Sequence, residues 1–307
     1  MDRERTHSDA GESAAAAASW RDSRAVGFLL IGLCYVAAGA VGLAAFSWVR
    51  GDLWFRILSA DVAATAAVWV GSLLLDNATT YDPYWSVQPL VILNLVLFGT
   101  GVFDAGSVLL CLVVNLWGIR LTANWTLTFR GLGSQDWRYD RIRDRTGRLY
   151  PLANLLGIQL MPTLIVFGCI LPAILYISRG GGFGPLTAAG LLLSLAGLLL
   201  ETVADRQMHA FRRRNQSRAE LMRDGLWRHA RHPNYLGEIL VWWGVYLVFL
   251  SAFPEGWVLG AGPLLNTLLF LFISIPMAET RLSAIKADFD SYRRETRMLL
   301  PIPRRRG

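Results

Sequence analysis

The residues best suited to chemistry are concentrated in the last third of the chain. Glu201 and Asp205 precede the run Arg212-Arg213-Arg214-Asn215. Then comes Arg231-His232-Pro233-Asn234-Tyr235-Leu236-Gly237-Glu238, which leads straight into an apolar stretch with Trp242 and Trp243. Glu201 and Asp205 are one helical turn apart and face one way, and Arg212 follows about two turns later. His-Pro-Asn sets a rigid proline at the start of a new helix, with Asn234 able to cap it. A helix start offers N–H groups and positive potential to an anion. Glu238 falls one turn into that helix, at membrane depth, where acids are expensive and usually serve a site. Arginine forks suit phosphate, carboxylates suit ribose hydroxyls or an amide, and aromatic faces suit a flat ring. The expectation is a polar cradle at the cytoplasmic lip of the bundle, and the chain ends with two further polar stretches that hold Arg281 and Tyr292.

Juxtamembrane arginines most often set topology or touch anionic lipid. That reading suits Arg213, Arg214 and Arg218 taken singly. It does not require Asp205, Asn234, Tyr235 or Glu238.

A second group is Asp76-Asn77-Ala78-Thr79-Thr80-Tyr81-Asp82-Pro83-Tyr84-Trp85, which carries neither Lys nor Arg. Interface aromatics are commonly belt residues, yet Tyr84, Tyr81 or Asp82 could supply a proton to a substrate oxygen. A third group places Arg120 and Asn124 on one helical face beside Trp125. It continues into an Arg-rich stretch with Asp136 and Tyr139, read either as a topological loop or as groups closing over phosphates or adenine. Asp61 is a separate acid within an apolar run, facing a cavity or pairing with another helix.

The elements that must carry these residues are membrane helices. Of 307 residues, 53% are hydrophobic and 17% charged, against ~25% charged in soluble chains. A spanning helix needs ~20 apolar residues. The runs 25–48, 55–75, 89–103, 105–123, 152–178, 185–205, 235–252 and 257–278 give about eight spans, with seven possible. The pair around Asp104 is short, and Pro162 and Pro172 should kink the fifth. The expected fold is therefore an all-α polytopic integral membrane helical bundle. Residues 1–24 read as a disordered cytoplasmic tail and 25–307 as a single transmembrane domain.

Net charge is +7, and arginines crowd the loops 124–151 and 206–234. With eight spans these loops and both termini share one face, which the positive-inside bias makes cytoplasmic. Lys286 is the only lysine. The basic charge thus belongs to membrane topology, and no nucleic-acid partner is expected. Cys34, Cys111 and Cys169 each lie in an apolar run and read as packing residues, and no metal spacing is visible.

The sequence from Gly225-Leu226-Trp227 through Glu238 resembles the C-terminal signature of the steroid 5-alpha-reductase family, most of all its bacterial branch. The resemblance covers roughly residues 75–303 and is most specific over 201–303. It implies NADPH bound at the cytoplasmic side of the bundle, and reduction of a conjugated carbon–carbon double bond in a lipophilic, steroid-like or isoprenoid-like carbonyl compound. It further implies that Asp205, Arg212, Asn234, Glu238 and Trp242 lie in the cofactor region, with Arg231, His232 and Tyr235 in the same motif and Tyr292 in the terminal pattern. The Asp82-Pro83-Tyr84-Trp85 stretch is also similar to the bacterial branch. Glu201 stands where the steroid enzymes tend to have Asn, and the neighbourhood of Arg281 lacks their His.

A different class shares part of this pattern. Arg-His-Pro-x-Tyr-x-Gly, with Glu279, Phe289 and Tyr292 downstream, is similar to the isoprenylcysteine carboxyl methyltransferases, which use S-adenosylmethionine. The Glu201/Asp205/Arg212 set and the Asp82-Pro-Tyr-Trp stretch favour the reductase. The site is expected to open to the cytoplasm from the cell inner membrane, with membrane lipid and a lipophilic small molecule as partners.

Overall fold

A computed structural model describes residues 20–215, 217 and 219–301. Most of the expected tail, residues 1–24, lies outside them. The described part of it is helical from Trp20 to Asp22, and Gly133 N donates to Arg21 O at 2.9 Å.

The described chain is all-helical. The helices are α1 (Arg24–Trp48), α2 (Leu53–Leu74), α3 (Tyr84–Thr100), α4 (Ala105–Thr128), α5 (Trp137–Thr146) and α6 (Tyr150–Ala153). They continue with α7 (Met161–Arg179), α8 (Pro185–Arg214), α9 (Pro233–Ala252), α10 (Ala261–Leu269), α11 (Ile275–Ile285) and α12 (Phe289–Glu295). Seven helical stretches among the described residues are long and apolar enough to cross a membrane. The protein is thus a polytopic helical membrane bundle. The remaining expected span, 89–103, is α3, which begins earlier and has 17 residues with Pro89 inside it. Asp104 ends the α3–α4 turn by capping α4, accepting Ser107 N at 3.0 Å and Ser107 Oγ at 2.6 Å.

The kink expected at Pro162 takes the form of a π-helical stretch, Asn154–Leu160, just before it. Proline has no N–H for the α-helical ladder and crowds the carbonyl four residues back; a wider turn relieves both problems. A second π stretch, Phe270–Ser274, precedes Pro276 in the same way.

Two compact units are present. Among the described residues, one comprises 20–92 and 118–164, the other 93–117 and the described part of 165–301. In the first, α1 packs on α2 through small residues: a Cβ on Gly42 would lie 3.1 Å from Ala60 O. Gly118 lets α4 approach α3, since a Cβ there would lie 2.6 Å from Ser86 O, and Ser86 Oγ and Thr122 Oγ1 are 2.9 Å apart. A short buried turn, Ala78–Tyr81, follows α2. The loop expected over 124–151 contains α5, whose Tyr139 and Ile142 pack with Ala78, Tyr150 and Ile158.

In the second unit, α8 and α9 pack antiparallel with their backbones nearly touching. A Cβ on Gly197 would lie 2.5 Å from Gly237 O, and one on Gly190 would lie 2.8 Å from Gly244 O. Ser194 Oγ donates to Val241 O at 2.9 Å. Helices in lipid gain little from hydrophobic burial against one another, so small residues that permit close packing drive association. α8 has 30 residues, 185–214. At ~1.5 Å per residue its ~45 Å length exceeds a ~30 Å hydrocarbon layer. Its charged C-terminal third therefore extends beyond the apolar core.

Candidate functional site

Each unit gathers its own set of the expected residues. In the first, Asp61 is buried on α2, where the sequence left its partner open. Tyr84, the first residue of α3, donates its hydroxyl to Asp61 Oδ1 at 3.3 Å. One turn on, Gln88 Nε2 donates to Asp61 Oδ2 at 2.5 Å. Both oxygens of an intramembrane carboxyl group are thus held by neutral donors. Tyr81 and Tyr84 have ring centroids 5.7 Å apart, and Tyr35 meets Tyr84 edge-on at 5.6 Å. Tyr81 bonds instead to Thr163, whose Oγ1 is 2.9 Å away, and Thr163 in turn lies 3.1 Å from Thr65 Oγ1.

Asp82 accepts from Tyr139 Oη at 2.5 Å. Burial pushes the Asp82 carboxyl up to about 7, against the opposing pull of the Tyr139 hydrogen bond and the Arg138 charge. Burial also raises the Tyr81 phenol well above its ordinary value. Of the three proton-donor candidates, Tyr84 alone is hydrogen-bonded to the buried acid.

The segment bearing them is fixed from below and above. Asn77 accepts from Thr79 N at 2.8 Å and donates to Leu132 O at 2.9 Å, while Ala78 N donates to Gln135 Oε1 at 3.1 Å. Arg120 and Asn124 are half-buried on α4, one turn apart.

In the second unit, the antiparallel α8–α9 pair sets Glu201 against the first turns of α9. Glu201 is buried, and its Cβ lies 2.7 Å from where a Cβ on Gly237 would be. Asp205, one turn further along α8, is half-buried. Asn234 is half-buried in the first turn of α9, just after Pro233. Arg212 is exposed two turns beyond Asp205. Lys286 has its pKa lowered by burial and by the nearby Arg212 charge, so α8's basic end and the end of α11 are neighbours.

Glu238 is turned into the unit. It accepts from the indoles of Trp117 at 2.7 Å and Trp242 at 2.6 Å, and these rings meet edge-on with centroids 4.6 Å apart. The i, i+4 pairing of Glu238 with Trp242 was readable in the sequence. Trp117, 121 residues away, carried no local signal.

Arg231 and His232 converge on Glu279. Arg231 Nε lies 2.8 Å from Glu279 Oε1, and His232 Nε2 lies 3.1 Å from the same oxygen. Arg231 also donates to the backbone oxygens of Arg293 and Thr296. Backbone bonds from Arg231 N to Arg297 O and from His232 N to Met298 O, 2.9 and 3.0 Å, fasten the C-terminal segment to the start of α9. Tyr292 is buried and donates to Trp227 O, and burial raises its phenol to about 12. These three residues hold the C-terminal segment in place. Tyr235 is stacked between His232, 5.4 Å away, and Phe270, 4.7 Å away. Arg281 is exposed on α11.

Residues 68–296 match the family model described as "Protein of unknown function (DUF1295)". The chain belongs to the DUF1295 family. Over 208 residues it is 26% identical to the uncharacterized protein C594.04c of Schizosaccharomyces pombe, which covers 59% of this chain. The match spans 60% of the length of that curated relative. No solved structure matches the chain. The family match runs from within α2 to the end of α12. It takes in Tyr84 and the whole of α8 and α9, and leaves Asp61 just outside.

Proposed function

We propose that this DUF1295 protein is a membrane-embedded, NADPH-dependent reductase of a conjugated carbon–carbon double bond in a lipophilic carbonyl compound. The observation that carries the reading is the Tyr84–Asp61 hydrogen bond. A phenol hung on a carboxyl group among apolar helices is a proton donor protected from bulk water. The resemblance over residues 75–303 supplies the reaction class.

The residues around the α8–α9 end suit a dinucleotide. Arg212 and the first-turn N–H groups of α9 suit phosphate. Asp205 and Asn234 suit hydroxyl and amide groups. When bound, NADPH supplies a hydride to the β-carbon of the double bond, leaving NADP⁺. On this reading the Tyr84 hydroxyl turns from Asp61 to the carbonyl oxygen and protonates it as the β-carbon takes up hydride. The resulting enol tautomerises to place its proton on the α-carbon, and solvent reprotonates Tyr84 between turnovers. Asp61 and Gln88 hold the phenol in position. The site opens to the cytoplasm, and the chain resides in the cell inner membrane.

The test is isotopic. Purified protein is incubated with NADPH deuterated on its nicotinamide and with a lipophilic enone. One deuterium should appear at the β-carbon of the product. Unlabelled substrate recovered from a panel of steroidal, isoprenoid and fatty enones would refute the reading. Methyl transfer from S-adenosylmethionine in parallel incubations would establish the competing class.

A further inference from the structure

α5 is an amphipathic helix with twice as many arginines as acids: Arg138, Arg141, Arg143 and Arg145 against Asp140 and Asp144. Its inner face, Tyr139 and Ile142, is packed against Ala78, Tyr150 and Ile158. Arg138, Arg141 and Arg145, spaced i, i+3 and i+7, form one exposed stripe, with Arg148 just beyond. Asp140 and Asp144, spaced i and i+4, form a separate exposed stripe. Arg138 is paired with the helix's own cap, Asp136, at 2.8 Å, and Arg143 with Asp76 at 2.8 Å. Arg141, Arg145 and Arg148 make no ion pair among the described residues. Immediately after them Leu149, Leu152 and Leu156 are exposed, which marks where the chain enters hydrocarbon.

A helix with arginines along one flank, acids along another and apolar residues at its exit fits the plane of an anionic headgroup layer. The inner face reaches the segment that carries Tyr84, because Tyr139 Oη bonds to Asp82 and Arg143 to Asp76.

We propose that α5 docks its arginine stripe on anionic phospholipid headgroups and thereby holds the 76–84 segment in place. The inference does not depend on the reductase reading. Binding places positive charge against phosphate on one side of α5, and Tyr139 transmits the restraint on the other.

The experiment is hydrogen exchange of the full chain in nanodiscs of phosphatidylcholine alone, or of an equimolar mixture with phosphatidylglycerol. Amides of 76–84 and 137–146 should exchange several-fold more slowly with phosphatidylglycerol. The double variant R141Q/R145Q, altered at exposed positions, should lose that difference. Tyr139→Phe should keep it in 137–146 and lose it in 76–84. Equal exchange in both lipids would overturn the proposal, as would a difference that survives R141Q/R145Q. So would equal protection by NADPH in phosphatidylcholine alone, which would assign the stripe to nucleotide phosphate.

Discussion

Tyr84 hands its phenolic hydrogen to Asp61 Oδ1 at 3.3 Å, linking the first residue of α3 to the middle of α2 across 23 positions. Gln88 occupies the other carboxyl oxygen. If Tyr84 is the proton donor, Tyr84→Phe should lower kcat by about 10²–10⁴-fold, the usual contribution of a positioned acid. NADPH affinity should stay within about twofold, because no role in cofactor binding is assigned to Tyr84. Stopped-flow NADPH oxidation with a turning-over enone measures both. Tyr81→Phe should cost much less, since its hydroxyl bonds to Thr163 and not to the buried acid Asp61.

At Gly237 the α8–α9 seam leaves no room for a side chain. A Cβ on Gly237 would stand 2.6 Å from Gly197 O and 2.7 Å from the Glu201 Cβ. Gly237→Ala should destabilise by about 1–3 kcal/mol through forced backbone movement. Gly39→Ala, with nothing within 4 Å of its Cβ, should leave the melting temperature nearly unchanged. Thermal unfolding in detergent compares them.

Arg231 and Glu279 form a buried ion pair, their side chains 6% and 10% exposed. Removing Arg231 leaves Glu279 only His232 and the more distant Arg293, at 3.1 and 3.6 Å, so Arg231→Ala should cost about 1–3 kcal/mol. The loss should begin at the C-terminal segment, which Arg231 also binds through backbone oxygens. Limited proteolysis should therefore cut the variant beyond α12 before the rest of the chain.

The Asp82 carboxyl, raised by burial to about 7, makes stability depend on pH. Its folded pKa lies above the unfolded value of ~3.9, so its contribution is complete below about pH 4. That contribution fades as pH rises through about 7. Asp82→Asn should flatten the fall in melting temperature between those limits. Tyr139→Phe removes a bond to the charged form and should shift the titration upward. Infrared carboxyl absorption follows the proton directly.

How far the sequence disclosed this arrangement follows the range of each interaction. Asp104 as a helix cap and Pro233 as a helix start were readable, because each acts within a turn. Glu201 and Asp205 shared a face by spacing alone. Gly190, Ser194, Gly197, Gly237 and Gly244 looked like filler in apolar runs; their role emerges only when two helices touch. α5 was hidden by its charge: Tyr139 and Ile142 are too few apolar residues to stand out, although Asp136 caps the helix through Arg138 N. Asp61 was conspicuous, but its partner Tyr84 could not be picked from three neighbouring candidates without the fold. Arg231 and His232 looked like ligand residues, and Glu279, which engages both, lies 48 and 47 positions away.

The most direct test is equilibrium titration of the purified, lipid-reconstituted protein with NADPH, NADH and S-adenosylmethionine. NADPH should bind more tightly than NADH. Asn234→Ala and Arg212→Ala should weaken it by roughly tenfold, about 1.4 kcal/mol each, with smaller effects from Arg213→Ala and Arg214→Ala. Binding of neither nicotinamide nucleotide, or equal losses from all four substitutions, would contradict a built nucleotide site at the end of α8 and the start of α9.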